Sequence, residues 1–163
     1  MEKIPITRSG YEKLKKDLEH LKKVEVPENI RAIEEARGHG DIAENAEYAA
    51  AKERQSFIQG RIQELENNLV NSKVIDLENL SDEKVVFGSI VTIVDTETDE
   101  QTTYQLVGPL ESDIQQNKIS VTSPIGKGLI GKEVGDEVRV KTPRGMRIFE
   151  IVGIRVDNGR PSG

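Results

Sequence analysis

Cysteine and tryptophan are absent from this chain of 163 residues, and histidine occurs only at His20 and His39. Without cysteine there is no disulfide, no thiolate nucleophile and no Cys-ligated zinc or iron–sulfur centre, which suits a cytoplasmic setting. Two histidines leave little material for a His-rich metal site or a Ser–His hydrolase. Aromatic residues make up only 4% of the chain, too few for platforms that stack bases or sugars. No apolar run approaches the ~20 residues of a membrane span. The start, Met1-Glu2-Lys3-Ile4-Pro5, has no signal-peptide hydrophobic stretch. An excess of positive charge is also missing. The net charge is −6, with −2 on residues 1–77 and −4 on 78–163. Neither part is a basic module of the kind that binds naked nucleic acid broadly. Charge itself is plentiful, at 32% of residues, which implies much exposed surface per buried residue.

The composition changes near residue 77. Residues 1–77 carry many Ala, Glu, Lys, Leu and Gln, which are strong helix formers. Their apolar residues follow helical spacing in two sets. One set is Leu14, Leu18, Leu21, Ile30, Ile33 and Ala36. The other is Ala46, Ala50, Ile58, Ile62, Leu65 and Leu69. Folded back antiparallel, the sets oppose each other with one register: Leu14 with Leu69, Leu18 with Leu65, Leu21 with Ile62 and Ile33 with Ala50. This predicts a helical hairpin over 1–77 with its tip near 38–44 and its apex at Gly40–Ala43. Small seam residues near the apex (Ala36, Ala46, Ala49, Ala50) would let the arms approach closely. Pro27 removes a helix hydrogen bond and clashes with the preceding turn, so a kink or short break is expected at Glu25–Pro27.

Residues 78–84 are polar and acidic and read as a linker. Beyond them Val, Ile and Thr predominate, with regular Gly and Pro. This predicts a small antiparallel sheet over 85–157, with strands at Val85–Val94, Thr102–Val107, Lys118–Thr122, Glu137–Lys141 and Arg147–Val156. Ser123-Pro124-Ile125-Gly126 suits the start of a short helix. The tail 158–163 has turn residues only and is expected to be disordered. The fold class is α+β.

The apex carries the residues with chemical potential. Asp41 and Glu44 are three apart, and Glu47 follows after three more. Asp41 as N-cap and Glu44 as third residue of the second helix would form a capping box, a purely structural arrangement. Alternatively, two hard oxygen donors on one helix face could help to hold Mg²⁺. Two carboxylates alone make a weak site, so a partner would have to supply the rest. Arg37 precedes the apex and Lys52 and Arg54 follow it, with Arg31 further down the arm. They serve either ordinary intrahelical pairing or a small patch for RNA phosphate. His39 reads as a turn residue and Tyr48 as packing on the hairpin. Gly126-Lys127-Gly128 lacks the spacing of a phosphate loop.

The run Ala36-Arg37-Gly38-His39-Gly40-Asp41-Ile42-Ala43-Glu44-Asn45-Ala46-Glu47-Tyr48, with Ala50-Ala51-Lys52-Glu53 after it, resembles the tip of the GreA-type transcription elongation (transcript cleavage) factors of bacteria. Ile4-Pro5-Ile6-Thr7, Val74-Ile75-Asp76, Ile119-Ser120-Val121, Ser123-Pro124-Ile125 and Gly128-Leu129-Ile130-Gly131-Lys132 resemble further segments of that family. The resemblance covers about residues 1–156. It implies an N-terminal antiparallel coiled-coil hairpin and a C-terminal FKBP-like antiparallel β domain that binds RNA polymerase. By the same resemblance the coiled coil enters the polymerase's secondary channel as a monomer. Asp41 and Glu44 then help to hold a catalytic Mg²⁺ shared with the polymerase and position a water, and Arg37 and Lys52 lie near the nascent RNA 3′ segment. The factor would be no enzyme itself; it would stimulate cleavage of backtracked RNA by the polymerase. Gly38 stands where the family often has Glu, and Ala43 where a polar or basic residue is common. A prolyl isomerase or chaperone would need an aromatic pocket, for which the second part offers only Phe87, Tyr104 and Phe149. A factor that merely plugs the channel would need no acidic pair.

Overall fold

The computed structural model describes residues 3–39, 42–76 and 82–156, apart from the side chains of residues 39 and 42–45. It divides into two compact units, Tyr11–Asn71 and Met1–Gly10 with Ser72–Gly163.

The first unit is helical. α1 (Arg8–His20), which begins in the other unit, runs into a π-helical turn at Leu21–Glu25 and then into α2 (Val26–His39). α3 (Ile42–Val70) returns. Its 29 residues rise about 43 Å. The arms run antiparallel. Asn29 meets Ala51, Glu25 meets Arg54 at 3.0 Å, and Lys22 meets Glu66 at 3.5 Å. On α3 the inward positions are Tyr48, Ala51, Gln55, Ile58, Ile62, Leu65 and Leu69, an unbroken alternation of three and four residues. Such spacing keeps one stripe facing a partner helix. On the first arm the inward positions are Leu14, Leu18, Leu21, Glu25, Asn29, Ile33 and Ala36. Here one residue too many separates Leu21 from Asn29, and the π-turn lies over that interval. The Val26 N–H donates to the Leu21 carbonyl five residues back. A wider turn absorbs an extra residue without breaking the helix. It also suits Pro27, whose ring would otherwise collide with the carbonyl of Lys23.

The expected break at Glu25–Pro27 is therefore a widened turn just before the proline, and the helix continues through it. The seam is corrected accordingly. Ile30 is 46% exposed and Asn29 takes its place at 4%. Ala46, Ala49 and Ala50 face solvent, while Ala51 is buried. The single register read from the sequence assumed equal spacing along both arms, and the inserted residue breaks that assumption.

The second unit contains β1 (Ile4–Thr7), β2 (Ser72–Ile75), β3 (Ser89–Asp95), β4 (Gln101–Val107), β5 (Lys118–Ser120), α4 (Pro124–Leu129), β6 (Glu137–Thr142) and β7 (Gly145–Val156). β1 and β2 form a parallel pair, with Ile4 opposite Ser72. The hairpin residues are thus inserted in sequence between two neighbouring strands. The expectation of a hairpin over 1–77 differs here: residues 4–7 and 72–75 pair with each other and cluster with the sheet unit. The other strands form one sheet in the order β5-β4-β3-β7-β6. The expectation of an antiparallel sheet needs one correction. β5 pairs with β4 in parallel, Leu106 opposite Ile119. A 3₁₀ turn at Ile114–Gln116, capped by Asp113 and closed by Asn117 at φ 56°, returns the chain to run beside β4 in the same direction.

Alternation puts Val91, Ile93, Leu106, Val138, Val140 and Ile151 into the core with Leu129 of α4. Val85 precedes the strand proper but is fully buried, bonded to the loop after α4. The helix start expected at Ser123 is present: the Ser123 hydroxyl accepts the Gly126 N–H and Pro124 opens the first turn.

Within the sheet unit, Glu111 ties the end of β1 to the turn after β4. The N–H groups of Thr7 and Gly108 donate to its Oε2, at 2.7 and 3.1 Å, and the Thr7 hydroxyl donates to Oε1. Gly108 admits this approach only because it lacks a side chain: a Cβ there would lie 1.9 Å from the Pro5 carbonyl oxygen. The tail 158–163 and residues 77–81 of the linker region lie outside the described residues.

Candidate functional site

α2 ends at His39 and α3 begins at Ile42. The sequence reading placed the apex at Gly40–Ala43; residues 40 and 41 lie outside the described residues. Arg37 of α2 and Tyr48 of α3 approach each other, with the guanidinium carbon 5.9 Å from the ring centroid. A cation over an aromatic face at this distance is attractive, so Tyr48 packs under Arg37 as well as into the seam.

Among the sequence-predicted site residues, Asp41 lies outside the described residues. Glu44 falls in the first turn of α3, and its side chain is not described. Arg37 and Lys52 are exposed on the two arms. Arg54 is engaged with Glu25, so this nearby cation holds the arms together. Among the described residues no group of three or more His, Asp or Glu could hold a metal, and no helix is long and apolar enough to cross a membrane.

Two concavities of the sheet unit are lined by described residues. One, of about 400 Å³, is lined by Asp95, Tyr104, Thr142, Arg144, Arg147 and Phe149. Asp95 organises its floor. The backbone N–H of Glu97 donates to Oδ1 at 2.9 Å and the Arg147 guanidinium to Oδ2 at 2.6 Å. These contacts, the Glu97 N–H first, hold the carboxyl below the usual carboxylate range against the opposing effect of burial. The other is an apolar groove of about 650 Å³ lined by Pro5, Ile75, Val85, Phe87, Val121 and Ile130. Phe87 therefore lies apart from Tyr104 and Phe149, and the three aromatics do not form one pocket. Sequence reading missed Asn29 and Glu111. A polar residue beside Ile30 gives no sign of facing inward until the π-turn is known. Glu111 reads as an ordinary loop acid, because its partners at Thr7 are a hundred residues away.

A charged two-helix hairpin inserted in sequence between paired strands of a small mixed-sheet unit defines a two-unit α+β protein. The model for "Transcription elongation factor, N-terminal" matches residues 4–74, and that for "Transcription elongation factor, GreA/GreB, C-term" matches 80–156. The chain belongs to the GreA/GreB family of transcription elongation factors. It is 64% identical over 157 residues to transcription elongation factor GreA of Syntrophus aciditrophicus (strain SB), covering 96% of this chain and 98% of that one. It is 54% identical over 155 residues to its namesake from Rhodospirillum rubrum, covering 95% and 99%. Among solved structures, the crystal structure of GreA factor homolog 1 (Gfh1) of Thermus thermophilus aligns at 32% identity with a TM-score of 0.43, over 94% of this chain and 99% of that one.

Proposed function

We propose that this chain binds RNA polymerase as a monomer in the cytoplasm, inserts its hairpin into the secondary channel and stimulates the polymerase's own cleavage of backtracked RNA. The sheet unit docks and the hairpin delivers Asp41 and Glu44. The observation that supports this reading most directly is the antiparallel return of α3 beside the first arm, with Asn29 meeting Ala51 and Glu25 meeting Arg54, because Asp41 and Glu44 fall in sequence where the one arm gives way to the other.

Two carboxylates are hard oxygen donors of the kind Mg²⁺ takes, and too few for an independent site. They suit an ion whose remaining ligands belong to the polymerase. Held between the two proteins, Mg²⁺ would supply positive charge that favours phosphodiester cleavage. Asp41 and Glu44 hold and orient a water near that position. Arg37 and Lys52 offer cations to phosphates of the RNA 3′ segment. Weak affinity at the tip suffices, because docking of the sheet unit raises the local concentration of the pair.

The test uses a stalled, backtracked polymerase complex with Mg²⁺. Asp41→Ala and Glu44→Ala abolish stimulated release of 3′ RNA fragments and leave polymerase binding intact. Cleavage equal to the native chain would refute the assignment. Slowed synthesis by the native chain, with no fragment released, would point to a channel plug instead.

A further inference from the structure

We propose that Asn29 is a register lock, a positioning residue that gives up hairpin stability to hold the two arms in one axial alignment. Its bearing on RNA cleavage rests on the function proposed above. Asn29 is 4% exposed and, among the described residues, the one buried polar side chain of the hairpin unit. Its Nδ2–H donates to the Ala51 carbonyl on the opposite arm at 3.0 Å. The carbonyl has a second lone pair beyond its helical bond, so the contact adds to α3 and leaves its ladder intact.

The other buried side chains of the seam are aliphatic: Leu14, Leu21, Ile33 and Ala36 against Ala51, Ile58 and Leu65. Aliphatic side chains at regular spacing pack in more than one alignment, because their contacts have no direction. The first arm also carries the extra residue taken up at Leu21–Glu25. That residue could be taken up elsewhere in the arm, with the arms slipped to match. A slip takes the Asn29 amide away from the Ala51 carbonyl, and a buried amide left without a partner is strongly disfavoured. A single polar group in a coiled-coil seam selects register in this way and lowers stability. One residue of slip displaces an arm by ~1.5 Å. The arms follow one another in sequence across residues 40 and 41, so a slip moves the end of α2 against the start of α3, next to the residues that the proposed function puts to work. Misplacement of ~1 Å in a reacting constellation can cost on the order of 10²-fold in rate.

The test is Asn29→Leu, with two readouts on the full chain. The first is independent of polymerase. Spin labels at Glu28→Cys and Glu53→Cys, both exposed in a chain with no other cysteine, report the alignment of the arms. With Asn29 present they give a single distance population. Asn29→Leu raises the melting temperature of the hairpin yet splits or broadens that population. The second readout is cleavage in the backtracked complex. Asn29→Leu lowers the maximal rate at saturating factor about tenfold and leaves the half-saturating concentration unchanged. A merely structural role would move stability and cleavage in the same direction. A single unchanged distance in Asn29→Leu overturns the lock. A split distance with an unchanged maximal rate overturns its positioning role. Absence of cleavage by the native chain refutes the proposed function alone, and the distance measurement still decides the lock.

Discussion

Asp95 shows how one side chain can be read for its response to pH. Its carboxylate accepts from the backbone of Glu97 and Thr98 and from Arg147, and its affinity for a proton is lowered in consequence. A lowered native value means that the unfolded chain binds the proton more readily. The contribution of Asp95 is therefore complete above the ordinary value of about 4 and is lost as pH falls through the lower native value. Melting temperatures followed downward from pH 6 should drop less steeply in Asp95→Asn than in the native chain. Equal slopes would exclude Asp95 from the acid response. Individual residues were unequally legible. The Ser123 cap follows from residue type and spacing, because its partner Gly126 lies within one turn. Asn29 and Glu111 did not show in the sequence, because their partners Ala51 and Thr7 lie far away in the chain. The acidic pair is an expectation from spacing and resemblance, and the side chains of Asp41 and Glu44 lie outside the described residues.

At the scale of elements, the π-turn at Leu21–Glu25 satisfies two demands together. It takes up the residue that would otherwise rotate Asn29, Ile33 and Ala36 away from α3, and it spares Pro27 a clash. The two can be separated. Deleting Val24, 39% exposed, closes the turn to ordinary helix but leaves the proline inside it. The expected loss is about 3 kcal/mol of hairpin stability. Adding Pro27→Ala to the deletion restores most of it, since both arms then carry the same spacing. Circular dichroism at increasing urea checks both variants, and failure of the second substitution to rescue would refute this account. The sequence signalled the disturbance through Pro27. It could not signal the form, because a helix meets a proline by bending, by breaking or by widening, and the seam decides which. The parallel partnership of β4 and β5 was hidden for a similar reason. Strand periodicity reports which face is buried and is silent on direction.

At the scale of the whole molecule, each unit has its own apolar interior. Leu65 is fully buried in the hairpin and Ile151 in the sheet. Leu65→Ala and Ile151→Ala should each remove about 2–5 kcal/mol. Followed by hydrogen exchange, the first should loosen amides of α3 and the second those of β3 and β7. Uniform loosening across both units by either variant would show that the units unfold as one. The division into a helical and a strand-rich part was legible from composition alone. Its boundary was not, because the sheet unit recruits residues 4–7 from the far side of the hairpin sequence. That pairing bears on biosynthesis. β1 is translated before the hairpin, and its partner strand leaves the ribosome only after the whole hairpin has been made. A nascent chain released early, before Ser72, would carry complete helices and an orphaned Ile4–Thr7 edge, so truncated products should be sticky at that edge.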